Sequence, residues 1–337
     1  MKNAILITGG AGYIGSKVAT DLIKKKYTVV IIDNLSTGYK CLIPKQANFF
    51  RGNISNLKFV KKIFDQFDIN TVFHFAGSLN VFESHLNPRK YFNNNFNNTK
   101  NIINLCISYN IKNFIFSSSC AVYDGNIGKV NENTKLKPLS NYGKSKLKAE
   151  NYLKNKNKKI KYAILRYFNV AGADIKNNIG IINQTDQLIK NLSRNISKKK
   201  YSIDVFGNNY ATYDGTCIRD YIYLNDISKI HIESMKYLIS KNKNIVLNCG
   251  YGVGYSVLDV INEFQKYIKK KIKINYKNKR VGDLPAVFSD TKKIKKLFKI
   301  KLTKNPMNKI IITALKWEKI IFKKSEIKQN INNLKGI

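Results

Sequence analysis

Thr8-Gly9-Gly10-Ala11-Gly12-Tyr13-Ile14-Gly15 is the stretch on which the fold turns. It follows the apolar run Ala4-Ile5-Leu6-Ile7 and opens a segment with helical spacing. Each glycine has a physical task. Gly9 allows a tight turn, Gly12 lets backbone approach a pyrophosphate, and Gly15 brings helix against strand. The helix then turns unpaired N–H groups and the positive end of its dipole toward the phosphates. A second apolar run, Thr28 to Ile32, ends at Asp33, whose carboxylate can accept hydrogen bonds from adenosine ribose hydroxyls. The same charge would repel a 2′-phosphate, so NAD is expected rather than NADP. A glycine motif alone is weak; strand, turn, helix and carboxylate in this order make a dinucleotide fingerprint.

Working outward, short apolar runs alternate with longer helical patterns as far as Phe168. The runs are Ala4 to Thr8, Thr28 to Ile32, Thr71 to Phe75, Asn113 to Ser117 and Tyr162 to Leu165. Such alternation implies a parallel sheet with helices on both faces, and strands buried on both sides need no polar alternation. The expected class is α/β: a Rossmann-type doubly wound parallel sheet with a smaller α/β substrate-binding domain. Residues 1–168 form the NAD-binding part in this reading, with returning segments near 217–240. Residues 169–337 form the interleaved second domain, with strands or helices at Tyr201 to Phe206, Ile218 to Leu224, Asp226 to Ser240, Ile245 to Asn248 and from Ser256.

Two further segments carry chemistry. Asn113 to Ser119 is a strand running into serines, and Ser140-Asn141-Tyr142-Gly143-Lys144-Ser145-Lys146 opens a helix. Tyr142 and Lys146 stand four apart and share a helix face. An ammonium held beside a phenol, whose free pKa is about 10, favours the phenolate and so makes a base. Ser119 can hydrogen-bond the reacting oxygen. Taken alone, a tyrosine four residues before a lysine is an ordinary exposed helix pair; after a glycine fingerprint and a serine-ending strand it reads as catalytic.

Composition bounds the answer. The 337 residues suffice for one large core or two modest ones, and 43% hydrophobic content is ordinary for a globular chain. No apolar run reaches the roughly 18 residues of a membrane span, and no signal-peptide pattern precedes Ala4, so a cytoplasmic protein is expected. Five cysteines without a close pair and three histidines without ligand spacing imply neither disulfides nor a metal. The net charge of +39 is mostly lysine, spread along the chain with asparagine and isoleucine, as in Lys198-Lys199-Lys200 and Lys269-Lys270-Lys271. These residue types share A/T-rich codons, so base composition is the plain explanation, with polyanion binding the alternative. No basic stripe with interleaved aromatics falls on a recognisable element, and no specific nucleic-acid partner is expected.

With these residues in view, the chain resembles the UDP-glucose 4-epimerases, extended short-chain dehydrogenase/reductases, over nearly its whole length. The matching segments include Asp33-Asn34-Leu35-Ser36-Thr37-Gly38, His74-Phe75-Ala76-Gly77, Leu165-Arg166-Tyr167-Phe168-Asn169, Phe206-Gly207-Asn208, Arg219-Asp220-Tyr221 and Gly282-Asp283-Leu284-Pro285-Ala286. The resemblance implies an isomerase. Tyr142, Lys146 and Ser119 would be catalytic: Tyr142 takes the proton of the sugar 4-hydroxyl as hydride leaves C4 for NAD, and a 4-keto sugar rotates and is reduced on its other face. NAD would be held by Gly9, Gly12, Tyr13, Ile14, Gly15, Asp33, Asn34, Leu35, Ser36, Thr37, Gly38, Asn53, Ile54, Phe75, Ala76, Gly77, Asn94 and Phe168, beside the catalytic three. UDP-sugar would be held by Asn169, Phe206, Arg219, Arg280, Asp283 and Val287 together with Ser119 and Tyr142.

The family's tyrosine wall position falls on Val287, which would admit N-acetylhexosamines. A homodimer through a four-helix bundle is also implied, from the helix after Asn94 and the helix carrying Tyr142. The chain departs from the family pattern at Asn53 for aspartate, Leu79 for a lysine, Asp124 for a glycine, and the loose Gly180-Ile181-Ile182-Asn183-Gln184. Cys120-Ala121 supplies no carboxylic acid, which disfavours a dehydratase. A UDP-glucuronate epimerase or decarboxylase stays open, as does a non-catalytic NAD-binding regulator.

Overall fold

The computed structural model describes residues 3–123, 128–280 and 283–334. Asp124 and Gly282 lie outside them. The first part of the chain runs β1 (Asn3–Thr8), α1 (Tyr13–Lys24), β2 (Thr28–Asp33), β3 (Asn48–Arg51), α2 (Leu57–Gln66) and β4 (Asp68–His74). Next come α3 (Val81–Leu86), α4 (Pro88–Tyr91), α5 (Asn98–Ser108), β5 (Asn113–Ser119), β6 (Lys129–Val130), α6 (Asn141–Lys154) and β7 (Lys161–Tyr167). The second part holds β8 (Asn169–Ala171), α7 (Leu188–Ser197), β9 (Ser202–Phe206), β10 (Ile218–Tyr223), α8 (Leu224–Lys241) and β11 (Ile245–Cys249). It finishes with β12 (Gly254–Ser256), α9 (Val257–Ile268), β13 (Lys273–Lys277), β14 (Ala286–Ser289), α10 (Lys292–Leu297) and α11 (Pro306–Leu334).

Seven strands form one sheet in the order β11-β7-β5-β4-β1-β2-β3, and every pairing in it is parallel. The apolar runs that specify it are buried on both faces. Along β1, Ile5 and Ile7 enter one core while Ala4 and Leu6 enter the other, and along β2 Val29 and Ile31 separate in the same way from Val30 and Ile32. Successive side chains point to opposite faces, so two apolar layers demand a run with no polar alternation. Each fully buried aliphatic side chain of this kind stabilises by about 1.5–3 kcal/mol. Strand β3 was not foreseen, because Asn48-Phe49-Phe50-Arg51 is short, half-exposed and at the sheet edge.

A second sheet, β12-β10-β14-β6 with β8 against β10, stands apart from the first, and β13-β9 forms a two-stranded ribbon. A core on α7, α9 and α11, with Leu192, Phe264 and Ile311 buried in it, packs behind these strands. Strand β11 and helix α8 return to the large sheet: β11 pairs with β7, and Ile227, Ile230 and Leu247 join the core that holds Ile5 and Ile7. Strand order reverses between β1 and β4. In a doubly wound sheet that reversal opens a crevice at the carboxyl ends of the strands.

Candidate active site

Every strand that ends at the crevice delivers a segment singled out by the sequence. Strand β1 runs into the glycine turn, β2 ends on Asp33, β4 on Phe75 to Gly77, β5 on Ser119, and β7 on Phe168 and Asn169. A cavity of about 480 Å³ opens there.

Its glycines divide by what surrounds them. Gly9 has φ +73°, and a Cβ on it would come within 2.6 Å of the Ala76 nitrogen, so both the turn and the close approach of the two loops exclude a side chain. Gly12 differs. A Cβ there meets one atom, the Gly9 carbonyl oxygen at 3.3 Å, while the residue itself faces the cavity. Packing within the chain therefore does not require glycine at 12; room for a ligand against backbone does. No side chain caps α1 at Gly12, which leaves its first-turn N–H groups to an anion. The turn thus fits a dinucleotide pyrophosphate.

Asp33 is buried at the cavity edge and organises the loops around it. Its Oδ2 accepts from the Ala11 N–H at 2.9 Å and its Oδ1 from the Leu35 N–H at 2.8 Å. Each carboxylate oxygen retains a further lone pair for a ribose hydroxyl. Tyr13, Ile14, Gly15, Asn34, Ser36, Thr37, Asn53 and Ile54 share this wall, and Phe75, Ala76, Gly77 and Asn94 line it from the next loop and helix. Leu35 and Gly38 are set back. Gly38 lies against Ala11, where a Cβ would approach the Ala11 Cβ to 2.9 Å.

Helix α6 places the reactive groups. Ser140 caps it by accepting from the Gly143 N–H at 3.0 Å. Tyr142, Lys146 and Glu150 then fall four apart on its buried face. Tyr142 and Ser119 both line the cavity. Lys146 stands behind them, donating from Nζ to the Ser117 carbonyl at 2.8 Å and lying 5.1 Å from the centre of the Phe116 ring. Burial pulls its ammonium down to about 8, opposed by the Glu150 charge.

The Tyr142 hydroxyl differs from the expectation of a lowered pKa. Burial pushes it up to about 12, and the Ser119 hydroxyl offsets only part of this. Desolvation of the phenolate is the largest influence, and the Lys146 ammonium is turned to the Ser117 carbonyl.

Glu150 anchors the helix to the sheet. Its carboxylate takes two bonds from Arg166, at 3.0 Å from Nε and 2.7 Å from Nη2, and a third from Ser118 Oγ at 2.6 Å. Arg166 also donates to the Tyr123 hydroxyl at 3.0 Å.

Sequence reasoning missed one positioning group, Asn95. A π-helical stretch, Phe92–Asn97, separates α4 from α5 and turns Asn95 inward. Its Oδ1 accepts from the Ser78 N–H at 2.7 Å, and its Nδ2 donates to Ser78 O at 3.0 Å and to Ser145 Oγ at 3.1 Å. Asn95 thereby ties the loop after β4 to the helix of Tyr142. The asparagine-rich run was the only signal, and it does not say which asparagine faces in.

Across the cavity, Phe168, Asn169, Arg219, Asp283 and Val287 complete the wall. Arg219 donates to the carbonyls of Ile218 at 2.9 Å and Leu284 at 2.7 Å, with Asp283 3.6 Å away. Val287 pairs with Arg219 in the second sheet and is 3% exposed, packed with Val122, Tyr123, Val130 and Phe168. Its neighbour Phe288 is not on the wall; it packs toward Gly128 and Gly254. Phe206 and Arg280 are off the wall too, with the guanidinium 3.7 Å from the ring centre. Leu79, where the resemblance leads one to expect a lysine, lines the cavity and is exposed.

Residues 5–250 match the NAD dependent epimerase/dehydratase family. The UDP-glucose 4-epimerase of Lactobacillus helveticus is 34% identical over 321 residues, covering 94% of this chain and 97% of its own. The structure of UDP-glucose 4-epimerase from Brucella ovis in complex with NAD is 31% identical with a TM-score of 0.87, covering 95% of this chain and 99% of that one. The UDP-Glc/GlcNAc 4-epimerase from Campylobacter jejuni is 37% identical with a TM-score of 0.80, over 95% and 99% of the two chains. With a glycine turn and carboxylate shaped for a dinucleotide, a serine and tyrosine in the same crevice, and relatives alike from end to end, the chain belongs to the NAD dependent epimerase/dehydratase family.

Proposed function

We propose that this protein is a UDP-sugar 4-epimerase interconverting UDP-glucose and UDP-galactose. One observation carries the reading: Gly12, Asp33, Ser119, Tyr142, Asn169, Arg219 and Asp283, from both parts of the chain, share the wall of a single cavity. A dehydratase would need a carboxylic acid beside Ser119. Cys120 stands there instead, its thiol pushed up to about 11 by burial.

The glycine turn and Asp33 would hold NAD, which when bound supplies the acceptor for a hydride from the sugar C4 and its return. The residues of the chain do the rest. Tyr142 takes the proton of the 4-hydroxyl and later gives it back to the same oxygen. Ser119 hydrogen-bonds that oxygen and orients it. Lys146, held behind Tyr142 at the Ser117 carbonyl, is the cation that would favour the phenolate against its burial. The N–H groups of Arg219 not spent on carbonyls suit a diphosphate, and Asp283 suits ribose hydroxyls. Phe206 and Arg280, stacked together, are assigned to the uridine part.

Val287 extends the reading to N-acetylated sugars. Neither it nor Phe288 closes the wall with an aromatic ring, which leaves space for extra atoms at C2. We divide the chain into an NAD-binding part, 1–168 with returning segments, and an interleaved substrate-binding part. A cytoplasmic homodimer is the assembly we assign, joined through α5 and α6. These helices lie side by side, with the Tyr152 hydroxyl donating to Asn104 Oδ1 at 2.5 Å.

The test is direct. Purified protein is denatured and its supernatant assayed for nicotinamide dinucleotide, and intact protein is incubated with UDP-galactose. Bound NAD(H) and UDP-glucose as product are expected. Consumption of added NAD in proportion to product would overturn the assignment.

A further inference from the structure

We propose that the ribbon of β9 and β13 is a binding surface for single-stranded nucleic acid. The two lysine triplets that lie far apart in sequence, Lys198 to Lys200 and Lys269 to Lys271, are brought together by this ribbon. The first triplet ends α7 and enters β9; the second ends α9 and enters β13. Ser202 pairs with Lys273, and the Lys273 N–H donates to the Tyr201 carbonyl at 2.9 Å. Lys270 lies 4.7 Å from the centre of the Tyr201 ring.

The patch is solvent-facing. Lys198, Lys199, Lys200, Lys266, Lys269, Lys270, Lys271, Lys273 and Lys277 are all exposed. Between Lys198 and Phe206 and between Glu263 and Arg280 the only carboxylates are Asp204 and Glu263. Glu263 pairs with Lys266 at 2.8 Å, and Asp204 accepts from Asn275 at 3.1 Å. Among the described residues, none of the other lysines of the patch is in an ion pair.

Tyrosines are interleaved with this charge. Tyr267, at the end of α9 two residues before Lys269, is 47% exposed, and Tyr201 lies between the first triplet and β9. Exposed rings beside a basic track are what single strands use, because every base has a face to stack while its phosphates seek cations. A lipid surface would call for larger apolar side chains to insert, and the patch displays none among its large exposed hydrophobics beyond Tyr267. Stacking and charge are both indifferent to base identity, so the binding is not sequence-specific.

The test measures a fluorescein-labelled single-stranded oligonucleotide against the full-length protein as salt is raised. Affinity is expected to fall steeply, with a log–log slope of about −0.7 per phosphate contacted. Replacing Lys199, Lys200, Lys270 and Lys271 together by Gln should weaken binding by about tenfold or more at 0.1 M salt and make the slope shallower by about 2–3. Replacing the exposed Lys58, Lys61, Lys62 and Lys112 by Gln should change it by less than about threefold, and Arg at the four patch positions should restore it. Tyr267→Ala should weaken it by about fivefold or more. UDP-sugar turnover should be unchanged in each, which reports folding and separates this test from that of the catalytic reading. Equal loss from both lysine sets would overturn the proposal. So would a Tyr267 variant without effect, or capture by phosphatidylserine vesicles in place of the oligonucleotide.

Discussion

Lys146 of α6 donates from Nζ to the carbonyl of Ser117 at 2.8 Å, which fixes the cation to the end of β5, two residues before Ser119. The strand that supplies the serine and the helix that supplies the tyrosine are therefore held in register by a buried lysine. With the tyrosine hydroxyl on the cavity wall and pushed up to about 12 by burial, a base at neutral pH needs positive charge close by. Tyr142→Phe should lower turnover by at least about a hundredfold, the scale of losing a positioned base. UDP affinity and melting temperature should hardly move. Near-normal turnover in this variant would remove Tyr142 from the mechanism.

Glu150 and Arg166 form an ion pair whose side chains are 0% and 1% exposed, so neither charge can turn to water. Glu150→Gln strands the guanidinium and should cost about 3–5 kcal/mol, read as a lowered urea midpoint with an unchanged slope. Glu150 also raises the Lys146 pKa, so its loss should move a pH-rate limb near 8 to lower pH. A stability loss with no shift of that limb would mean that Lys146 does not govern it.

Two buried histidines set the acid side of stability. His74 bridges Thr8 and Thr99, and burial holds its ring down to about 3; His231, against Tyr167, is held down to about 4. The unfolded chain takes up protons near the ordinary histidine value of 6.5, whereas the native protein does not until pH approaches these lower values. Stability is thus complete above about pH 6.5 and falls as pH drops toward 4, by up to about 1.4 kcal/mol per unit for each histidine. Urea unfolding at a series of pH values measures the slope. His231→Gln should flatten it by about one proton; an unchanged slope would show that His231 protonates in the folded state.

Gly12 and Gly15 should separate binding from folding. Gly12→Ala leaves a methyl facing the cavity, with 3.3 Å to the Gly9 oxygen as its one close contact. It should change stability by less than about 1 kcal/mol while the retained dinucleotide is lost. Gly15→Ala drives a methyl into the Gly9 carbonyl and should cost about 1–3 kcal/mol whether or not ligand is present. Thermal melts of dinucleotide-free protein, paired with assay of the bound cofactor, distinguish the two.

Val287 decides substrate breadth in our reading. Because it lies on the wall, pairs with Arg219 and is packed on its far side, a tyrosine there has the cavity as its free direction. The wild type should epimerise UDP-N-acetylglucosamine as well as UDP-glucose, and Val287→Tyr should abolish the first and spare the second. Overlap with an N-acetyl group costs at least the 1–3 kcal/mol typical of overpacking, about a tenfold to hundredfold loss. An equal fall in both activities would show that position 287 does not discriminate.

The sequence by itself determined the buried strands of the sheet, the glycine turn and the helix of Tyr142. Those features rest on local rules: strands buried on both faces must be apolar throughout, a turn at positive φ needs glycine, and residues four apart share a helix face. Asp33 at the end of its strand was legible for the same reason. Tertiary structure alone decided the rest. It turned Asn95 inward under the site while Asn94, bonded to Ser78, stays on the cavity wall, set the Lys146 ammonium on the Ser117 carbonyl, and left Phe206 and Arg280 off that wall. It also gathered two lysine triplets onto one ribbon, where the sequence showed only scattered charge. Each depends on how segments distant along the chain pack, and on how much water that packing removes from a charge, and neither is written in the order of the residues.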